Sequence, residues 1–190
     1  AWVGSGDVAR RVAIAVMAGL WGLRLGAYLF TRVNRQPEDG RYQQLRGEWG
    51  AQAQRNLFVF FQVQALWAVM FAAPMLAGAA NSRPFGWLDA LGVLIWLAAL
   101  NGESIADQQL ARFKAKAADN ARVCRDGLWR YSRHPNYFFE WLHWWAYVCL
   151  AAGSPLWWIA VAGVVVMWLF LTKVTGIPPT EAQALRSRGE

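Results

Sequence analysis

The sequence predicts an all-α fold: a polytopic integral membrane helical bundle with five spans in this chain. Three observations carry that prediction. The 190 residues are 56% hydrophobic and only 16% charged, with 13 tryptophans, a balance too apolar and aromatic for an ordinary soluble domain. The apolar residues are gathered into the runs 12–31, 57–80, 86–102 and 156–172, most of them near the roughly 20 residues that cross a bilayer as helix, and 135–152 forms a shorter fifth. Basic residues, finally, crowd into two of the connecting segments and avoid the others.

The first run is interrupted by Arg24 and followed by further apolar runs, so it reads as structure rather than as a cleaved leader. Trp21, Arg24, Tyr28 and Arg32 recur at helical spacing and share one face. Tyr28 and Arg32 suit an interfacial anchor as well as a ligand site, whereas Arg24 lies at least two turns further in and needs an internal partner. The segment 31–56 adds Arg35, Arg41, Tyr42, Arg46 and Arg55, of which Arg41 and Arg46 are candidate phosphate contacts. On the second run, Gln62, Gln64 and Pro74 read as structural, the glutamines as interhelical hydrogen-bond donors and the proline as a kink.

The third run ends in NGESIADQQLARFK, where Glu103, Asp107 and Lys114 share a helical face. Spacing favours an Asp107–Lys114 or Asp107–Arg112 arrangement. The carboxylates are equally suited to accept hydrogen bonds from ribose hydroxyls, with Lys114 on phosphate. A basic segment follows, from Arg112 to Arg133, and closes in GLWRYSRHPNYFFE. Pro135 starts a helix, being tolerated in a first turn. Asn136, Glu140 and either His143 or Trp144 then fall on one side, with Tyr131, Arg133, His134 and Tyr137 close by in sequence. Glu140, five residues into an apolar helix, must face inward. Trp141, Trp144, Trp145, Trp157 and Trp158 read chiefly as packing or interfacial belt. Gly153, Ser154 and Pro155 predict a tight hairpin into the last run.

The net charge of +7 is mostly topology: the distribution of Lys and Arg places 31–56, 107–135 and the C-terminus in the cytoplasm. Arg10 and Arg11 run against that pattern and suggest a further span upstream, and the polar helical pattern at the end suggests that the single membrane domain also lacks its C-terminal end. Nucleic acid is a poor partner, since no binding module interrupts the runs. An anionic small molecule is a better one. Cys124 and Cys149 form no recognisable framework, and His134 and His143 have no metal-ligand spacing, so no metal is expected.

In order along the chain, WGLRLGAYLFTR, GRYQQLR, ESIADQQLARFK, GLWRYSRHPNYFFEW and GIPPTEAQAL resemble the steroid 5α-reductase superfamily, specifically its poorly characterised bacterial membrane-protein branch, over roughly residues 18–190. The resemblance implies a seven-helix membrane fold that takes NADPH from the cytosol and reduces a carbon–carbon double bond of a lipid-like enone or steroid-type substrate in, for a bacterium, the inner membrane. It implies cofactor contacts at Arg24, Tyr28, Asp107, Lys114, Tyr131, Asn136 and Glu140. Glu103, where the steroid enzymes have Asn, joins the candidate set with Arg41, Arg46, Arg133, His134, Tyr137 and Trp144. Trp21 stands at the family's catalytic tyrosine position and carries no hydroxyl, which leaves Glu140, Tyr28 and Tyr137 as candidate proton donors. RHPNY followed by Glu140 also resembles the isoprenylcysteine carboxyl methyltransferases, which implies an S-adenosylmethionine enzyme as the rival reading. A non-enzymatic lipid-binding membrane protein is the third.

Overall fold

The computed structural model describes residues 6–35, 38, 40–116 and 123–188; the side chains of Arg35 and Arg41, and the whole of Arg122, lie outside the described residues. The described residues form eight α-helices: α1 (Val8–Arg35), α2 (Gly40–Trp49), α3 (Ala53–Phe71), α4 (Ala73–Ala79), α5 (Trp87–Lys116), α6 (Pro135–Ala151), α7 (Trp157–Leu169) and α8 (Ile177–Arg188). Among the described residues, four helical stretches, Val8–Asn34, Tyr42–Ala79, Trp87–Lys116 and Trp157–Arg186, are long and apolar enough to cross a membrane. The fifth apolar run is α6, 17 residues long and among the most enclosed helices, with His143, Trp144, Ala146, Tyr147 and Leu150 all buried.

Local chemistry sets the boundaries. Pro74 sits in the first turn of α4, where its missing N–H costs nothing, and the chain bends at Ala72 between α3 and α4. The hairpin between α6 and α7 turns on Gly153, whose φ of 82° is open to glycine and strained for other residues. Gln62 and Gln64, expected to bridge helices, are exposed and make no hydrogen bond among the described residues, because α3 buries only Leu57 and has no helix against that face.

The core joins α1, α4, α5, α6 and α7 through Ile14, Met17, Ala79, Trp96, Trp144, Tyr147, Leu150, Val164 and Met167. Apolar burial is a weak driving force between helices surrounded by lipid, so close van der Waals packing has to hold them. The α5–α6 interface shows how: Gly92, Ala99 and Ala106 recur every seven residues along α5, all buried, and admit α6 to close range. A Cβ on Gly92 would lie 2.9 Å from the carbonyl oxygen of Ala146 and 3.2 Å from Cβ of Cys149. Backbone cannot swing aside as a side chain can. Gly92→Ala is therefore expected to destabilise the bundle by about 1–3 kcal/mol, and a melting temperature equal to that of the parent in detergent would contradict this packing.

The helix α1 runs parallel to α5. Arg10 pairs with Asp89 and Arg24 with Glu103, both pairs being separated by 79 positions. The two pairs are 14 residues apart on each helix, about 21 Å along the axes. One pair thus clamps each end of the α1–α5 contact.

Candidate functional site

Arg24 is the hub of the first polar cluster. It forms an ion pair with Glu103, and its Nη1 donates to Oδ2 of Asp107 at 3.4 Å. Asn136, at the start of α6, donates from Nδ2 to the other oxygen of Asp107, also at 3.4 Å. One turn on, Glu140 accepts from two indoles, Trp21 Nε1 and Trp144 Nε1, each at 3.4 Å. Three helices converge because each puts its one polar stripe where the others bury theirs: Trp21 and Arg24 on α1, Glu103 and Asp107 on α5, Asn136, Glu140 and Trp144 on α6. The charged members are shielded but not sealed, with side-chain exposures of 21%, 13% and 24% for Arg24, Glu103 and Asp107.

Two atoms of this cluster are unsatisfied. Arg24 Nε and Asn136 Oδ1 are buried without a hydrogen-bond partner, one a donor and the other an acceptor. An orphaned buried polar group of this kind costs about 1–3 kcal/mol, and two such groups within one cluster mark a place shaped for something polar. The cluster also holds three carboxylates against a single guanidinium.

The expected pairing of Asp107 with Lys114 or Arg112 is not what forms: Asp107 turns inward to Arg24 and Asn136, while Lys114 and Arg112 are exposed. Tyr28, one turn beyond Arg24, is 45% exposed, within a stretch of α1, residues 26–31, that is exposed throughout. Tyr131 is exposed immediately after the turn Gly127–Arg130. Arg46 belongs to α2, where its Nε bonds Glu38 at 2.8 Å. Arg133, His134 and Tyr137 gather in a second cluster around α8. Glu181 accepts from Arg133 Nη1 at 3.4 Å and lies 3.2 Å from Nε2 of His134. The Tyr137 hydroxyl meets Thr180 Oγ1 at 2.8 Å, and the His134 and Tyr137 rings stack with centroids 5.4 Å apart.

Sequence reasoning missed two features. Thr180 and Glu181 were visible only as part of a motif, since contacts 43 to 48 positions away leave no local signature. Arg10 and Asp89 were missed as a pair. Both are wholly buried, and the guanidinium meets the carboxylate in a fork, Nε–Oδ1 at 2.6 Å and Nη2–Oδ2 at 2.9 Å. Arg10 also donates to the carbonyls of Asn81 and Arg83, while Asp89 accepts from the N–H of Gly86 and so caps α5. Arg10, an anomaly when counted as a connecting-segment charge, is an internal strut.

Comparison with known families matches residues 1–190 to the family described as "protein of unknown function (DUF1295)". The chain belongs to the DUF1295 family. A curated relative of this DUF1295 chain, a Schizosaccharomyces pombe protein whose name calls it uncharacterized, is 29% identical over 87% of this chain and 54% of its own length. The chain therefore spans about half of that relative. No solved structure matches.

Proposed function

We propose that this chain is the NADPH-binding part of a membrane oxidoreductase of the steroid 5α-reductase superfamily, acting on a carbon–carbon double bond of a lipid-like enone or steroid-type substrate. The observation that carries the reading is the pair of unsatisfied atoms, Arg24 Nε and Asn136 Oδ1, set among carboxylates at one depth of the bundle. NADPH has complementary groups: a carboxamide that both donates and accepts, and ribose hydroxyls that donate to carboxylates. Asn136 would hold the carboxamide, Arg24 Nε would donate to an acceptor of the ligand, and Glu103 and Asp107 would take the hydroxyls. Lys114, seven residues beyond Asp107 on α5 and so about 10 Å further toward that end, is an exposed cation that would pair with phosphate. The concentration of Lys and Arg at this end supports a site on the cytoplasmic side, in a bacterium that of the inner membrane.

When bound, NADPH supplies hydride to the β-carbon of the alkene. The chain supplies alignment, exclusion of water and a proton. Of the three candidate donors, Glu140 alone lies in the Arg24 cluster: the Tyr137 hydroxyl is engaged by Thr180, and Tyr28 faces outward. The indole N–H groups of Trp21 and Trp144 fix the Glu140 carboxyl, so Trp21 orients the proton donor where the family's tyrosine would itself donate.

The surplus of carboxylates favours one rival. Three carboxylates around one arginine would also suit the sulfonium and ammonium charges of S-adenosylmethionine, and with them a methyltransferase. Titration of the detergent-solubilised protein with each ligand separates the two. NADPH is expected to bind, and Asn136→Ala, which removes the group that would hold the carboxamide, and Glu140→Ala, which removes the carboxyl beside it, are each expected to weaken it about tenfold, the scale of one hydrogen bond, while the melting profile stays cooperative. Unchanged NADPH affinity in both variants, or binding of S-adenosylmethionine alone, would overturn the reductase reading.

A further inference from the structure

We propose that the opposite side of α5 carries a binding groove for an anionic membrane lipid, with Arg130 at its head-group end. At 100° per residue, positions 98, 102, 105 and 109 are turned away from Glu103 and Asp107. They line a shallow groove of about 540 Å³ whose floor is Ala98, Gly102, Ile105, Leu128 and Phe139, with Asn101, its amide turned to the Leu97 carbonyl, beside it and Gln109, Arg130 and Tyr131 at the polar end. From Ala98 to Ile105 the apolar floor follows about 10 Å of helix, a shape for part of an alkyl chain lying along the bundle.

The polar end is built rather than incidental. Gly127, at φ 56°, starts the turn Gly127–Arg130 in a conformation that favours glycine. The N–H of Leu128 donates to Oε1 of Gln109 at 2.9 Å, and the Trp129 indole donates to the carbonyl of Ala106 at 2.9 Å. This fixes the turn to α5 and holds Arg130 and Tyr131 beside the groove, both exposed. Gly102 deepens the floor, because a Cβ there would fall within 2.3 Å of the Phe139 ring. Arg130 makes no ion pair among the described residues, and its charge faces the end of an apolar trough on a membrane-crossing helix. An occupant must offer an apolar tail and an anionic head, which is the chemistry of an anionic phospholipid; arginine favours the anionic head group over a zwitterionic one.

The inference is independent of the nucleotide reading, since no groove residue belongs to the Arg24 cluster. The test is native mass spectrometry of the protein released from nanodiscs holding equal amounts of phosphatidylglycerol and phosphatidylcholine with the same acyl chains. The parent is expected to retain phosphatidylglycerol about fivefold over phosphatidylcholine. Arg130→Gln should abolish that preference, and Ala98→Trp, filling an exposed position, should reduce total bound lipid. Both sites are exposed, so folding is expected to survive, and NADPH affinity measured on the same samples should stay at the parent value. Equal retention of the two lipids by the parent, a preference that survives Arg130→Gln, or undiminished lipid on Ala98→Trp overturns the proposal.

Discussion

Replacing Asp89 with alanine is expected to destabilise the bundle by about 3–5 kcal/mol, because it strands a buried guanidinium. Arg10 has no route to water: it is 0% exposed, and its remaining hydrogen bonds go to the carbonyls of Asn81, Arg83 and Pro84, which neutralise nothing. The same substitution removes the acceptor for the N–H of Gly86 at the start of α5. Asn81, wedged beneath Arg10, donates to the carbonyls of Leu150 and Ala152, so the disturbance would reach the α6–α7 hairpin. Asp89→Asn keeps an oxygen acceptor without the charge and should fall between alanine and the parent. The double variant Arg10→Met with Asp89→Leu should recover much of the loss, since an apolar pair of similar volume avoids desolvating two ions. Unfolding by SDS titration in mixed micelles reads all three; an Asp89→Ala midpoint matching the parent would show that the pair does not hold α1 to α5.

The contrast between the two ends of that contact explains what was legible beforehand. Arg24, Asp107, Asn136 and Glu140 stood out because ionisable groups within apolar runs must find one another, and convergence at one depth follows from counting residues along each helix. Which partner each takes did not follow. Glu103 rather than Asp107 forms the closer pair with Arg24, and Asp107 rejects its own helix neighbours, because those lie one to two turns nearer the helix end and reach water instead. Arg10 and Asp89 sit at run boundaries, where a charge needs no partner within the bundle, so Arg10 stood out only as a break in the charge pattern and Asp89 not at all. The recurring separation of 79 positions was the available signal, since two oppositely charged pairs at a constant offset describe a pair of parallel helices in register. Arg133, His134 and Tyr137 were read as candidate cofactor contacts within the signature and not as partners of α8, a helix whose polar sequence gave no hint of the face it would cover.

Arg24→Ala is expected to abolish most nucleotide binding, weakening it by about a hundredfold, and to destabilise the bundle by less than the loss of Asp89 does. The stability effect is smaller because Glu103 and Asp107 retain 13% and 24% exposure and can draw on water, whereas Arg10 and Asp89 cannot. The binding effect is larger than that of any single neighbour for two reasons. Arg24 supplies the one buried donor of the cluster left unsatisfied, and it is the cation that permits Glu103, Asp107 and Glu140 to share one site. Exchanging the pair, Arg24→Glu with Glu103→Arg, separates these contributions. The exchange preserves the α1–α5 ion pair and should restore most of the thermal stability lost in Arg24→Ala, yet it moves the guanidinium to α5 and should leave NADPH binding impaired. Recovery of both properties together would mean that Arg24 acts only as a strut, a second copy of Arg10, and that the nucleotide is held elsewhere.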